Sequence, residues 1–401
     1  MKKTLKFILP LWLGMVVNTL LGITDFYFLK QIDFNYLAVV GIAYIPFSLL
    51  SSIMVGIGIE ANRSVAKGQH FVFAKILAAV VLLASALSIM AYGLAPALVF
   101  FASDHVLYPE IMAYFKALSF LLIPTSVLFL CTGLLRGLGL PKKTIKFNIL
   151  AVSLNFIMDY FFIKVNLFGS PVKGCAYASL IADTLTVILY LIYLKEKGYL
   201  KLGDAKRSTL DFLKKAWAYS LEKICSSSTV LIISSFYISK IAVKDSSIYY
   251  GIERFFGPLK MFSFCYFEWV IYAISKNIPY PKHLIKGGYG LLLAGFGCLM
   301  FFYLKLDTIG LIYLISYILF CMLFLVERGL VASYFALENS KKANRIVFIK
   351  SIAMLILFHT LFITQHLNLI TVGAIQCLLL AAESLALYSA KGASLNFKSL
   401  Q

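Results

Sequence analysis

Apolar positions along this chain neither alternate nor keep to one helical face. They run on in blocks of about 20 residues or more, separated by short polar stretches. Blocks of that length are the signature of helices that cross a bilayer. The pattern predicts twelve spans, roughly 5–29, 36–60, 71–102, 109–137, 143–165, 173–195, 211–238, 246–275, 284–305, 309–337, 342–364 and 368–390. Several exceed 20 residues, so tilted or protruding helices are expected. The opening MKKTLKFILPLWLGMVV has the basic start of a signal peptide. Its apolar run continues past residue 20 with no small-residue cleavage site, so it reads as the first retained helix.

The longest polar stretch, residues 195–216, follows the sixth span. It divides the chain into an N-terminal six-helix lobe (1–197), a cytoplasmic linker (198–210) and a C-terminal six-helix lobe (211–401). A weak internal repeat agrees. LLRGLGLPKKTIK (134–146) follows the fourth span and SYFALENSKKANR (333–345) the tenth, with the Lys-Lys pairs 199 residues apart. Parallel six-span repeats are a hallmark of secondary transporters, whose pathways lie at the repeat interface. The expected fold class is therefore all-α: a polytopic membrane protein of 12 transmembrane helices in two six-helix bundles.

Charge orients these spans. With the N-terminus cytoplasmic, the inner segments hold 25 Lys and Arg residues and the outer loops hold 6, a bias that places both termini inside. The net charge of +19 is thus loop charge that orients the protein, and no nucleic-acid partner is implied. Composition agrees, with 61% hydrophobic and 14% charged residues and a mean hydropathy of +0.88. The seven cysteines lie mostly within apolar spans and form no CxxC pair, so they read as packing residues rather than a disulfide framework or a zinc site. The sequence carries no HExxH, GxSxG, Walker A or dinucleotide fingerprint. An intramembrane enzyme is disfavoured, and no cofactor is implied beyond a coupling ion.

Ionisable residues inside the spans stand out, because a central Asp costs about 2.5–3.5 kcal/mol on insertion scales. The first half has Asp25, Asp159 and Asp183. Asn155 precedes Asp159 by four residues and Ser179 precedes Asp183 by four, so each pair shares a helix face. At 1.5 Å per residue, Asp25 lies about 30 Å from the inner start of span 1, and Asp159 about 25 Å from Lys142. Ser179 lies about 9 Å below the outer end of span 6, and Asp183 one turn deeper. Asp25, Asn155, Asp159 and Ser179 therefore share the outer half. Carboxylates without a cationic partner in a dry bundle carry a proton or hold a cation, and this hard-oxygen set suits Na⁺ or proton exchange equally.

The second half carries mixed charge: Glu222 and Lys223 in span 7; Glu253, Arg254, Lys260 and Glu268 in span 8; Glu327 and Arg328 in span 10; Lys350 in span 11. Asn18, Glu222, Glu253, Arg254, Lys260 and Glu327 are candidates for a substrate cavity. Glu222 and Glu253 would favour cationic substrates, and Arg254, Lys260 and Arg328 anionic ones. At the repeat offset, Asn155 and Asp159 correspond to Met354 and Phe358, so the second lobe holds no copy of the first-lobe polar set.

Three ordered motifs resemble the multidrug and toxic compound extrusion (MATE) family. Pro10 and Asp25 in the first helix and Gly41, sixteen residues further on, keep the family's spacing. LLRGLGLPKK (134–143) and LNFIMDYFFI (154–163) match its fourth-to-fifth connection and fifth helix, and GCAYAS (174–179) its entry into helix 6. The likeness covers residues 5–195; the second half matches in span count. It implies a MATE-like pair of six-helix lobes with a first-lobe cation site at Asp25, Asn155, Asp159 and Ser179, holding H⁺ or Na⁺ and no other metal. Asp183 stands where the family often has Gln and is expected to add an extra carboxylate to the cation-binding set. Lys30 and Gln31 replace the family's Gly and Arg. The expected function is antiport of amphiphilic organic compounds against H⁺ or Na⁺ by alternating access, by a monomer in the cytoplasmic membrane of a prokaryote. The alternative within the superfamily is a flippase for lipid-linked oligosaccharide or polymer, with Arg254, Lys260 and Arg328 on a pyrophosphate head group.

Overall fold

In a computed structural model the apolar blocks are helices. The structure describes residues 2–33, 36–69, 72–100, 108–199, 208–233, 237, 243–278, 288–290, 292–298 and 307–392. Among them lie α1 (Lys2–Lys30), α2 (Tyr36–Ala66), α3 (Phe73–Gly93), α4 (Ala95–Phe100), α5 (Tyr108–Ser119), α6 (Leu122–Gly137), α7 (Pro141–Asp159) and α8 (Pro171–Glu196). They continue with α9 (Thr209–Ile232), α10 (Val243–Ser275), α11 (Gly288–Cys298), α12 (Thr308–Ala336), α13 (Ser340–Ile363) and α14 (Leu369–Gly392). A described helix falls in each of the twelve expected spans. Seven are long and apolar enough to cross a membrane on their own, or eight if the bent pair α5–α6 is one span. The chain is an all-α, multi-pass membrane protein.

Two expected spans are not continuous. The 109–137 span bends by 44° between α5 and α6. Pro124 explains the break: with no N–H to give, it is tolerated in the first turn of a new helix and disfavoured inside an old one. The 71–102 span ends α3 at Gly93 and restarts at Ala95, with Pro96 in the first turn of α4.

Packing divides the chain into two compact units. One comprises Leu13–Ile224 and the other Met1–Trp12 with Cys225–Gln401. The unit boundaries differ from a division at residues 198–210, of which 200–207 lie outside the described residues. The first turns of α1 pack in the second unit because their aromatic groups find partners there. Phe7 lies 5.0 Å from Trp269 and stacks 4.9 Å from Tyr272, and Trp12 Nε1 donates to Pro258 O at 2.7 Å. The first sixteen residues of α9 pack in the first unit. There Gly56 N donates to Ser220 Oγ at 3.1 Å, which in turn donates to Ile53 O.

The first unit is built on close contact between α2 and α6. A Cβ added at Gly133 would lie 2.2 Å from Gly58 O, and one at Gly137 2.6 Å from Asn62 O. These two residues form the Gly-x-x-x-Gly spacing that lets membrane helices approach backbone to backbone. Gly133→Ala is expected to destabilise the fold by about 1–3 kcal/mol through overpacking. Gly93→Ala, which meets open space, is the matched control. Thermal unfolding in detergent micelles measures the difference, and equal melting temperatures would contradict it.

The internal repeat is visible in the backbone. At the α6–α7 corner Gly139 has φ 74°, Gly139 N donates to Arg136 O and Leu140 N to Leu135 O, the paired bonds of a Schellman cap. At the α12–α13 corner, 199 residues on, Glu338 has φ 63°, Glu338 N donates to Phe335 O and Asn339 N to Tyr334 O. Asn166 (φ 54°) and Gln365 (φ 59°) repeat the relation after α7 and α13. Glu338 occupies a left-handed position that glycine fills in the first unit. Glu338→Gly is therefore expected to stabilise the protein by about 1 kcal/mol, read as a raised melting temperature.

Candidate functional site

The four polar residues converge within the first packing unit. Asp25 comes from α1, Asn155 and Asp159 from the C-terminal turns of α7, and Ser179 from α8. Asn155 and Asp159 are fully buried and Asp25 is 7% exposed. Asn155 is the centre of the cluster. Its Nδ2 donates to Asp25 Oδ1 and to Asp159 Oδ2, both at 2.9 Å, and approaches Thr24 Oγ1 at 3.3 Å. Its Oδ1 accepts from Ser179 Oγ at 3.1 Å. One amide thus ties two carboxylates to each other and to a hydroxyl. Asp159 Oδ1 is buried and has no hydrogen-bond partner.

Local structure fixes these positions. The i, i+4 spacing of Asn155 and Asp159 puts them on one face of α7. Directly after Asp159 the helix widens into a π turn, Tyr160–Lys164, a feature common at functional sites. That turn is pressed against α8: a Cβ at Gly174 would lie 2.4 Å from Phe162 O, so only glycine permits the approach. Pro171 opens α8, where its missing N–H costs nothing, and the helix then carries Gly174, Cys175 and Ser179 past the end of α7. Deeper in the same unit, Asn148 Nδ2 donates to Gly14 O at 3.0 Å and pins α1 to α7.

Asp183, expected beside these residues, is half-buried and takes its hydrogen bond from Thr125 on α6. It interacts with Asp25 only through space and stands outside the set bridged by Asn155. Two residues of the site were not read from the sequence as part of it. Thr24 approaches Asn155, and the thiol of Cys175 lies between the Asp25 carboxyl and the Tyr114 hydroxyl. Cys175 sits in the quoted GCAYAS run, but a cysteine in an apolar helix has no signal that separates a ligand from a packing residue. A further pair, Glu60 with Arg63 at 3.0 Å, is fully buried in α2 with Ser64 Oγ donating to Glu60 at 2.8 Å. Their i, i+3 and i, i+4 spacing was the available signal.

The candidate cavity residues fare differently. The side chains of Asn18, Glu253 and Arg254 lie outside the described residues. Glu222, on α9, is buried in the first packing unit rather than with the second-half charges. In the second unit Glu327 is buried and paired with Arg328, whose guanidinium also lies 5.1 Å from the Phe324 ring centre. Lys260 Nζ stands over Phe320 and Phe324 at 5.4 and 5.9 Å. Lys350 Nζ meets Glu383 at 2.8 Å. Met354 and Phe358, the repeat counterparts of Asn155 and Asp159, are buried apolar side chains, so the first-unit set has no copy there.

No protein-family profile matches the chain, and no curated protein matches it. Solved structures do. An outward-facing multidrug resistance MATE family transporter of the MOP superfamily superposes with a TM-score of 0.79 at 16% identity, over 100% of this chain and 96% of that one. A MATE protein in complex with MaL6 gives 0.80 at 17% identity, over 98% and 96%. A MOP superfamily transporter from Pyrococcus furiosus, described as having a binding pocket of reverse polarity that suggests a different function, gives 0.78 at 17% identity over the same shares. At these identities the likeness is one of fold, and it spans both halves of the chain.

Proposed function

We propose that this chain is a MATE-type secondary antiporter that exports amphiphilic organic compounds in exchange for H⁺ or Na⁺. The observation that carries the reading is the Asn155 amide bonded at 2.9 Å to both Asp25 and Asp159 inside a membrane bundle. Two unit negative charges about 4 Å apart repel by about 4 kcal/mol at an effective dielectric of about 20. A single cation between them removes that repulsion. A proton does so on one carboxyl oxygen, for which the unpartnered Asp159 Oδ1 is available. A sodium ion does so with oxygen ligands, and a rotated Asn155 amide offers its Oδ1 to that ion while Nδ2 faces Ser179. Because Asp25 is on α1 and Asp159 on α7, gain or loss of the cation changes how those helices hold together. That is a two-state element which an ion gradient can bias.

The membrane setting follows from the helices. The distribution of Lys and Arg supports both termini inside, and the short loops between the expected spans support the cytoplasmic membrane of a prokaryote. The lipid-linked oligosaccharide alternative depends on second-half cations. Of these, Arg328 is engaged with Glu327 and Lys260 with two aromatic rings, which favours the small-molecule reading.

The test is export from proteoliposomes under an imposed pH or Na⁺ gradient, with cationic and anionic amphiphilic dyes. Gradient-dependent dye export is expected, and the gradient that drives it identifies the ion. Translocation of a lipid-linked sugar with no dye export would replace this reading by the flippase.

A further inference from the structure

The buried carboxylates of the first unit have a thiol among them. One oxygen each of Asp25 and Asp159 and the Sγ of Cys175 all lie within 4.8 Å of one another, and all three side chains are buried. Hard-cation chemistry has no use for that sulfur. Na⁺ and Mg²⁺ select oxygen donors, whereas a thiolate with carboxylates suits the borderline and soft divalent ions. The second observation is Asp159 Oδ1, fully buried and without a hydrogen-bond partner, on the carboxylate that belongs to this triad. We propose that Asp25, Asp159 and Cys175 form a site for a thiophilic divalent cation of the zinc and cadmium class.

The geometry is close to what such an ion needs. With Zn–O near 2.1 Å and Zn–S near 2.3 Å, tetrahedral ligand atoms stand about 3.5 Å apart, so donors within 4.8 Å of one another close by about 1.3 Å at most. The fourth position falls to Asn155 through its carbonyl oxygen, or to water. Asn155 Nδ2 now bridges both carboxylates, and rotating the amide replaces two donated hydrogen bonds with one oxygen ligand. The surroundings hold the donors in place. Tyr114, itself buried, contacts the Cys175 sulfur, and Gly174 brings the start of α8 against the π turn that follows Asp159. The remaining cysteines are a natural contrast. Cys131, for example, lies in an apolar core cluster with leucines and valines around it.

The site shares Asp25 and Asp159 with the proposed coupling site, so a bound divalent ion competes there with H⁺ or Na⁺, while metal binding itself can be measured whether or not the protein transports. The test is therefore a binding measurement on the full chain in detergent micelles. Co²⁺ serves as the spectroscopic probe and Cd²⁺ as the competitor. The expected result is about one tightly bound Co²⁺ per chain with a thiolate-to-cobalt charge-transfer band and tetrahedral ligand-field bands, all removed by Cd²⁺. Cys175→Ser is expected to abolish the charge-transfer band, and Asp159→Asn to weaken Cd²⁺ binding at least tenfold. Cys131→Ser is expected to leave both unchanged. Should Cys175→Ser not fold, the contrast between Asp159→Asn and Cys131→Ser decides alone. Absence of a thiolate band in the wild type, its survival in Cys175→Ser, or Cd²⁺ affinity indifferent to Asp159→Asn would each overturn the proposal. Loss of dye export with intact Cd²⁺ binding would count against the antiporter and leave the metal site standing.

Discussion

Replacing Asp159 by Asn is expected to lower ion-driven export at least a hundredfold while the protein still inserts and melts within a few degrees of the wild type. The substitution keeps size and polarity. It removes the charge that makes a cation favourable between α1 and α7, because the carboxylate repulsion of about 4 kcal/mol that a cation would relieve is then gone. Asp25→Asn is expected to do the same from the other side of the Asn155 bridge. Their effects should be far from additive, because either change alone dissolves the paired charge. Export assays on the two single variants and the double variant measure this, with folding checked by thermal unfolding. Export near wild-type rates in either single variant would remove the carboxylates from the coupling step.

The second large effect concerns stability. Arg328 is 2% exposed and bonded to Glu327, which is fully buried. Arg328→Leu would leave a buried carboxylate without its cation, a change that costs about 3–5 kcal/mol. The double variant Glu327→Leu, Arg328→Leu removes both charges and is expected to recover most of that loss. Chemical or thermal unfolding of the two variants in micelles gives the comparison. If the single and double variants unfold alike, the pair is not what holds this part of α12.

The outcome at particular residues shows what a sequence of this kind discloses. Asp25, Asn155, Asp159 and Ser179 were legible because depth along a membrane helix follows from counting residues. Carboxylates in an apolar block also have few innocent explanations. Their hydrogen bonds in the structure join the same four side chains. Asp183 has the same sequence signal but lies one turn away, held by Thr125, because helical periodicity fixes a face and not a partner. Cys175 was invisible for the opposite reason. It behaves as an apolar residue in any hydropathy pattern, and only the Gly174 contact and the π turn bring it to the carboxylates.

At the level of the fold, the apolar blocks located the helices. The breaks at Pro96 and Pro124 were marked by proline in sequence but were absorbed into long spans. The transfer of residues 1–12 to the second unit, and of the start of α9 to the first, depends on Phe7, Trp12 and Ser220 finding their partners. No local pattern encodes those contacts. The repeat, faint in the Lys-Lys pairs, is plain in the left-handed backbone at Gly139 and Glu338.

The central claim is that one cation is exchanged at the Asp25–Asn155–Asp159 cluster for each cycle of export. Reverse-mode exchange tests it most directly. Proteoliposomes are prepared with no ion gradient, and a gradient of an exported dye is applied while proton and Na⁺ movements are recorded. The account predicts that H⁺ or Na⁺ moves opposite to the dye in the wild type and that neither moves in Asp159→Asn. Dye-driven ion flux that persists in Asp159→Asn, or dye movement in the wild type with no ion flux, would contradict it.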